Sequence, residues 1–300
     1  MKSRGSDLLK AISLGLSGLL MCSLTYVMGA APLLALRSYY GRILFLLSSL
    51  ALVAGAFLAG HYFLAALFVA QILLVAIYAE LELQGLGFAI SGLLSVLLVS
   101  GFTAVLSGAY VHFSKINMTT LLQDRAKAVI ENVHRLNASV NIDVDYLIAQ
   151  VPSGLVVSFI LSLALAVLLE RSIAALIGAK LEKKSNYYSL LSFELPDVCV
   201  WITIIGIAGV GLKLNSPLFK TLGINILNIM ATLYFFQGLA VAFSFFRTFR
   251  IGILWQALWA FVMVFQLFLF VAVLGFADYW LDIRKRLYRK VAPTKLDKRV

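Results

Sequence analysis

Few residues in this sequence have the chemistry to act on a ligand, and most of them are amides. Asn225, Asn228 and Thr232 follow one another at steps of three and four, so they share a helix face. Tyr234 and Gln237 are three apart and take another face, with Gln237 half a turn from Asn228. Gln256 and Gln266 lie in the next apolar run, and Gln71 lies in an earlier one. An amide or hydroxyl inside hydrocarbon costs free energy unless it is paired. Such groups either hold helices together or line a cavity for a polar ligand, and the spacing leaves both readings open. The candidate ligand-binding set is Asn225, Asn228, Tyr234, Gln237 and Gln266.

Ion-coupled and acid–base chemistry needs carboxylates at membrane depth. Here they gather at the ends of apolar runs. Glu80 and Glu82 close one run, Glu194 and Asp197 precede another, and Glu170 with Arg171 ends a third as a local charge pair. Asp278 and Asp282 are one helical turn apart just past the last run. That spacing lets Asp278 reach the neighbours of Asp282, and lets Asp282 reach Arg286. Asp278, beside Gly275, is the one expected to be buried. His61, His112 and His134 fall at run ends or in a loop, and Cys22 and Cys199 are far apart. There is no C-x-x-C, no H-E-x-x-H and no P-loop. The expectation is therefore no catalytic residue, no metal, no cofactor and no enzyme.

The elements that carry these residues follow from composition. Of 300 residues 62% are hydrophobic and only 13% charged. The mean hydropathy is +0.96. So few charges cannot coat a soluble domain of this length. About 20 apolar residues cross a bilayer as a helix. Eight runs approach that length, at 11–36, 43–60, 62–79, 87–111, 151–176, 198–212, 222–245 and 251–276. The fold expected is an all-α polytopic transmembrane bundle of about eight spans. The second and third runs share a tight turn at Gly60-His61. The sixth is short and carries Gly206, Gly209 and Gly211, which favours tilt, a break or close packing. If one of the eight runs is not a full crossing, the re-entrant candidates are this run and the stretch around Pro32. Gly15 with Gly18, and Gly101 with Ala104, offer small-residue faces.

Two polar segments interrupt the runs. In the first, Leu122, Ala126, Val129, Val133 and Leu136 form an apolar stripe, with Asp124, Arg125, Lys127, Glu131 and Arg135 on the other face. Thr120 with Gln123 fits a capping box and Asn137 a stop. An amphipathic helix is expected between spans four and five, either lying at the membrane interface or acting as a solvated connector. Pro152 marks the start of the helix that follows. The second segment holds Lys180, Lys183, Lys184, Tyr187 and Tyr188, a composition suited to the headgroup zone. The organisation expected is a four-span half at 1–111, a polar loop at 112–150, a second four-span half at 151–282 and a basic tail at 283–300.

The net charge of +11 comes largely from the ends. Lys2, Arg4 and Lys10 lie at one, and Arg284, Lys285, Arg286, Arg289, Lys290, Lys295, Lys298 and Arg299 at the other. Basic tails favour the cytoplasm and anionic lipid heads, and this one lacks the interleaved aromatics of a nucleic-acid reader. An even number of spans puts both termini in the cytoplasm but leaves the Lys180–Lys184 cluster on the outer side, against the positive-inside rule.

The order of features from Phe193 to Leu287 resembles the YybS-like family of uncharacterised bacterial membrane proteins. Its members carry an aromatic-x-Leu-Pro element before a span, here Phe193, Leu195 and Pro196. An asparagine-started span follows, ending in a Tyr-x-x-Gln-Gly-like element, here Asn225, Tyr234, Gln237 and Gly238. A closing Gly-x-x-Asp element precedes a basic run, here Gly275, Asp278 and Arg284. The resemblance covers about a third of the chain well, the rest only by hydropathy. It marks Pro196, Gly238 and Asp278 as structural positions. The family's span pattern is similar to the substrate-binding subunits of energy-coupling-factor transporters, a likeness of fold alone. The resemblance implies a bacterial chain in the cytoplasmic (inner) membrane, which gives the sequons at Asn117 and Asn137 no role.

These readings converge on a non-enzymatic membrane protein, a small-molecule-binding or transport-associated subunit. The alternative is a scaffold that recruits partners through the loop helix and the basic tail. Its partners are the lipid bilayer, anionic lipid heads at the tail and other membrane subunits, with no nucleic acid.

Overall fold

The computed structural model describes residues 3–115, 117–136, 143–178, 193–212 and 217–291. No strand occurs among them. The chain divides into two compact units, Met1–Ser185 and Asn186–Val300.

The first unit contains α1 (Ser3–Leu24), a 3-10 turn (Tyr26–Met28), α2 (Ala30–Leu58), α3 (Tyr62–Leu83), α4 (Phe88–Ser114), α5 (Met118–Leu136), α6 (Val144–Ala149) and α7 (Val151–Leu176). The run at 11–36 is not one span. It breaks at the 3-10 turn, and the two sides run antiparallel. Going up α1 from Gly15 to Gly18 to Cys22, the facing residue on α2 falls from Leu36 to Leu33 to Gly29.

A second break follows at Gly41, whose φ of 82° is left-handed backbone that only glycine adopts readily. There the chain folds back. Tyr26 lies level with Gln71 of α3, and Arg37 lies level with Glu80, so residues 30–40 run parallel to α3. Residues 42–58 enter α3 through the tight turn at Gly60, so they run antiparallel to it. Arg42 accordingly returns to the same Glu80, 3.6 Å away. Gly15 touches both arms at once, through Leu36 and Leu52.

The first apolar run is thus a helical hairpin. Its tip reaches Gln71, nine residues into α3 and twelve from its end, or roughly 14 Å and 18 Å at 1.5 Å per residue. Residues 30–37 are all buried, against α1, α3 and α7.

α7 begins at the expected Pro152 and packs on α2 and on the 3-10 turn. α5 is helical where expected, but the details differ. Helix α5 begins at Met118, before Thr120, whose hydroxyl donates to the Asn117 carbonyl, so Thr120 is not an N-cap. The apolar face is rotated by one residue. Ile130 is 7% exposed and Val129 56%, with Leu122, Ala126 and Val133 half-buried beside Ile130. This face meets α6, which is capped by Asp143 accepting from the Asp145 N–H. Asn137 lies outside the described residues, as do Lys180, Lys183, Lys184, Tyr187 and Tyr188 and the tail from residue 292.

The second unit contains α8 (Val198–Gly211), α9 (Pro217–Thr248), α10 (Ile253–Phe265), α11 (Phe268–Leu281) and α12 (Ile283–Val291). α8 packs closely on α9 through glycine. A Cβ at Gly209 would meet the Phe219 carbonyl at 3.2 Å, and one at Gly223 the Gly206 carbonyl at 3.0 Å. The run at 251–276 bends by 100° between α10 and α11, which a single straight span cannot do.

Five helical stretches are long and apolar enough to cross a membrane, or six if the bent pair is one span. Eight is therefore too many for helices of spanning length. α8 has 14 residues, about 21 Å of helix against about 30 Å of hydrocarbon. Exposed Leu58, Leu97, Phe113, Leu176 and Leu254 face outward, as lipid contact requires.

Candidate functional site

The hairpin tip of the first unit carries the best-connected buried polar group. Gln71 is fully buried. Its Nε2 donates to the Tyr26 carbonyl at 2.9 Å, and its Oε1 accepts from the Ser162 hydroxyl of α7 at 2.9 Å. A turn lacks the regular carbonyl partners of an α-helix, so in hydrocarbon it must find others. Gln71 supplies one, and Ser162 holds Gln71 in the orientation that lets it donate. The Tyr26 ring lies 6.0 Å from Phe159 of α7. Three separate helices thus meet around one amide at half the height of α3. Gln71 was legible as a buried amide. Tyr26 and Ser162 were not, because nothing in spacing links residues 45 and 91 positions away.

The base of the same hairpin is ionic. Arg37 Nη2 lies 2.8 Å from Glu80 Oε1. Glu170 lies against Ser38 of the arm and its own neighbour Arg171. Glu80 is therefore more than a span end, and Glu170 more than half of a local pair. Arg37, at the end of a buried segment just before a Tyr-Tyr-Gly-Arg stretch, was the overlooked signal.

In the second unit the sequence-derived set separates. Tyr234 and Gln237 are buried. Gln237 Oε1 accepts from the Leu195 N–H at 3.2 Å. The Tyr234 ring meets Phe276 edge-on at 5.2 Å, and its hydroxyl is buried beside Thr203 at a geometry short of a hydrogen bond. Asn225 Nδ2 donates back to the Thr221 carbonyl of its own helix, and the Thr232 hydroxyl donates to the Asn228 backbone carbonyl. Gln266 does not join them. It is exposed at the bend between α10 and α11.

The Phe193–Pro196 and Gly275–Arg284 elements instead meet as a clasp. Asp278 and Arg284 have side chains 4% and 11% exposed and pair at 2.7 Å. The Arg284 backbone N–H donates to the second oxygen of Asp278 at 3.2 Å. Arg284 Nη1 donates to the Phe193 carbonyl at 2.8 Å. The Phe193–Pro196 strip is therefore pinned twice, by Arg284 at one carbonyl and by Gln237 at one N–H. Pro196 then accepts from the Cys199 N–H, opening α8. Asp282 pairs with Lys285 at 2.7 Å, and its carbonyl accepts from the Arg286 N–H at 3.0 Å. Its hydrogen bond and charge hold the Lys285 ammonium above its ordinary range.

A family model described as "Predicted membrane protein (DUF2232)" matches residues 11–279. The chain belongs to this family. No curated protein and no solved structure matches it. The DUF2232 match spans both units and includes the hairpin, Gln71, Glu80, Gln237 and Asp278. In this member the hairpin tip joins the 3-10 turn, α3 and α7 around Gln71, whereas in the second unit Gln237 holds the Leu195 N–H and Asn225 bonds its own helix.

Proposed function

We propose that this DUF2232 protein is a non-enzymatic subunit of the bacterial cytoplasmic membrane that binds a small polar molecule within its first unit, in association with other membrane subunits. The observation that carries this reading is the helical hairpin whose tip rests on Gln71. Discontinuous helices with non-helical backbone at depth are a recurrent way to build polar sites inside membranes. The resemblance to the YybS-like family, and through it to transporter substrate-binding subunits, points the same way. It is an analogy of fold. The residues proposed to face the ligand are Gln71, Ser162 and Tyr26, in place of the Asn225, Asn228, Tyr234, Gln237 and Gln266 set.

Native mass spectrometry on protein from native membranes tests this. We expect a bound non-lipid molecule in the wild type that is lost in Gln71→Leu, alongside a stability loss of about 1–3 kcal/mol from the Tyr26 carbonyl left without its donor. If Gln71→Leu lowers stability and no such molecule is ever bound, Gln71 is glue, and the scaffold reading takes its place. That alternative would rest on α5, with Ile130 on its buried side, and on the basic residues after Ile283.

The hairpin also alters the topology. If residues 11–40 enter and leave on one side, six crossings remain: residues 42–58, α3, α4, α7, α9 and the α10–α11 pair. Lys10, Arg37, Arg42 and Arg171 then share an end, and Lys180–Lys184 follow α7 on that end in sequence. Most of the basic residues, Lys180–Lys184 and both tails included, then lie on one side, while Lys115, Arg125, Lys127, Arg135, Arg247 and Arg250 lie on the other. Reporter fusions after Lys184 and after Lys298 should both give cytoplasmic signals. A periplasmic signal at Lys184 would return the 11–36 run to a full crossing.

A further inference from the structure

We infer that residues 30–40 form a gate hinged at Gly41 and latched by Glu80. The hinge has the right chemistry. Gly41 takes a left-handed conformation, and nothing lies within 4 Å of where its Cβ would be, so neighbouring atoms do not wedge the fold-back. Glu80 instead holds it from both sides. A single oxygen, Oε1, lies 2.8 Å from Arg37 before the hinge and 3.6 Å from Arg42 after it. Arg37 has a side chain 10% exposed, whereas Arg42 is 67% exposed. The two ends of the latch thus differ. Arg42 sits in solvent and gains little from the pairing. Arg37 is a buried cation, and without Glu80 its charge is uncompensated in an apolar bundle. Arg37 then gains by moving to water, and drawing the arm away from α3 takes it there. Ser38, against Glu170, is a second polar contact of the arm with a neighbouring helix. Glu80 is itself 39% exposed, so ions reach the latch and screen it. The gate rests on the hairpin geometry, not on the ligand reading, and fails or stands independently of it.

The chain contains its own probe. Cys22 is buried beneath Gly29, at the top of the arm. Cys199 is buried in the second unit and serves as an internal control. Labelling with N-ethylmaleimide in membranes, read by peptide mass spectrometry, reports both thiols together. We expect Glu80→Gln to raise the Cys22 rate by about tenfold or more, as a shifted open population requires, with the Cys199 rate unchanged. Arg42→Gln should leave both rates as they are. In the wild type, raising salt from 0.05 M to 1 M should accelerate Cys22 alone. This arm of the experiment stands even if Glu80→Gln does not accumulate. An unchanged Cys22 rate in the variant or at high salt overturns the gate. So does equal acceleration of both cysteines, which is loss of fold.

Discussion

Gly238→Ala is expected to leave almost no folded protein in the membrane. The reason is the crossing of α9 and α11. A Cβ at Gly238 would land on the Val271 carbonyl, and one at Gly275 on the Tyr234 carbonyl and 2.6 Å from the Gly238 nitrogen. The two glycines face each other, so each helix presents bare backbone to the other. A clash with a side-chain tip is relieved by a rotamer change. A clash with a carbonyl is relieved only by moving the helix. Ordinary overpacking costs about 1–3 kcal/mol, and this case lies at or beyond the upper end. Separating the helices also strips contacts from Phe235 and Phe268, whose rings stack at 4.8 Å. Gly101→Ala is the matched control, because a Cβ there meets nothing within 4 Å. Fluorescence-detected gel filtration of tagged chains should show no monodisperse peak for Gly238→Ala and a normal peak for Gly101→Ala. Normal behaviour of both would mean the helices cross less closely than described.

The second large effect is expected at Asp278. Asp278→Asn keeps the shape of the side chain and removes its charge. Arg284 then remains buried, still donating to Phe193 but with no counter-charge. Breaking a buried pair by removing one partner costs about 3–5 kcal/mol. Much of this penalty falls on the Phe193–Pro196 strip, because Arg284 holds it. Asp282→Asn is the contrast. Asp282 is 55% exposed and its partner Lys285 is solvated, so its loss should leave thermal stability in detergent unchanged. A lowered transition for Asp278→Asn alone is the expected result. Equal tolerance of the two would reduce the clasp to a surface contact.

The limits of the sequence reading have physical causes. Hydropathy reports whether a residue tolerates lipid or a dry interior, and it does not distinguish the two. The run at 11–36 is as apolar as a span, and its second half is buried in protein. Pro32 raised the possibility of re-entry, but Gly29 and Gly41, which bound the arm, gave no stronger signal than other glycines. On α5 the period was legible and the phase was not. Both Val129 and Ile130 fit an apolar stripe, and only the contact with α6 selects Ile130. The asymmetry of Asp278 and Asp282 was readable from Gly275, since a glycine one turn away admits a close neighbour. The partner of Asp278 was not. Arg284 is six residues on, a spacing no continuous helix brings together, and it depends on the left-handed turn at Asp282. In the same way Gln237 and Leu195 are 42 positions apart, and an amide's local neighbours do not reveal that it serves a distant backbone.

The helical hairpin has a consequence for how the protein is made. Residues 11–40 leave the ribosome before the helices that shelter them. The Tyr26 carbonyl waits 45 residues for Gln71, and Gln71 waits 91 more for Ser162. Until then a bent, partly unbonded backbone would sit in hydrocarbon, which bilayers do not tolerate. The segment must therefore either wait at the membrane surface or insert first as an ordinary span and be drawn back once α3 and α7 arrive. In either case, biogenesis of the first unit cannot run strictly in order of translation, and a ribosome paused before residue 162 would hold an intermediate whose N-terminal segment has yet to reach its final place.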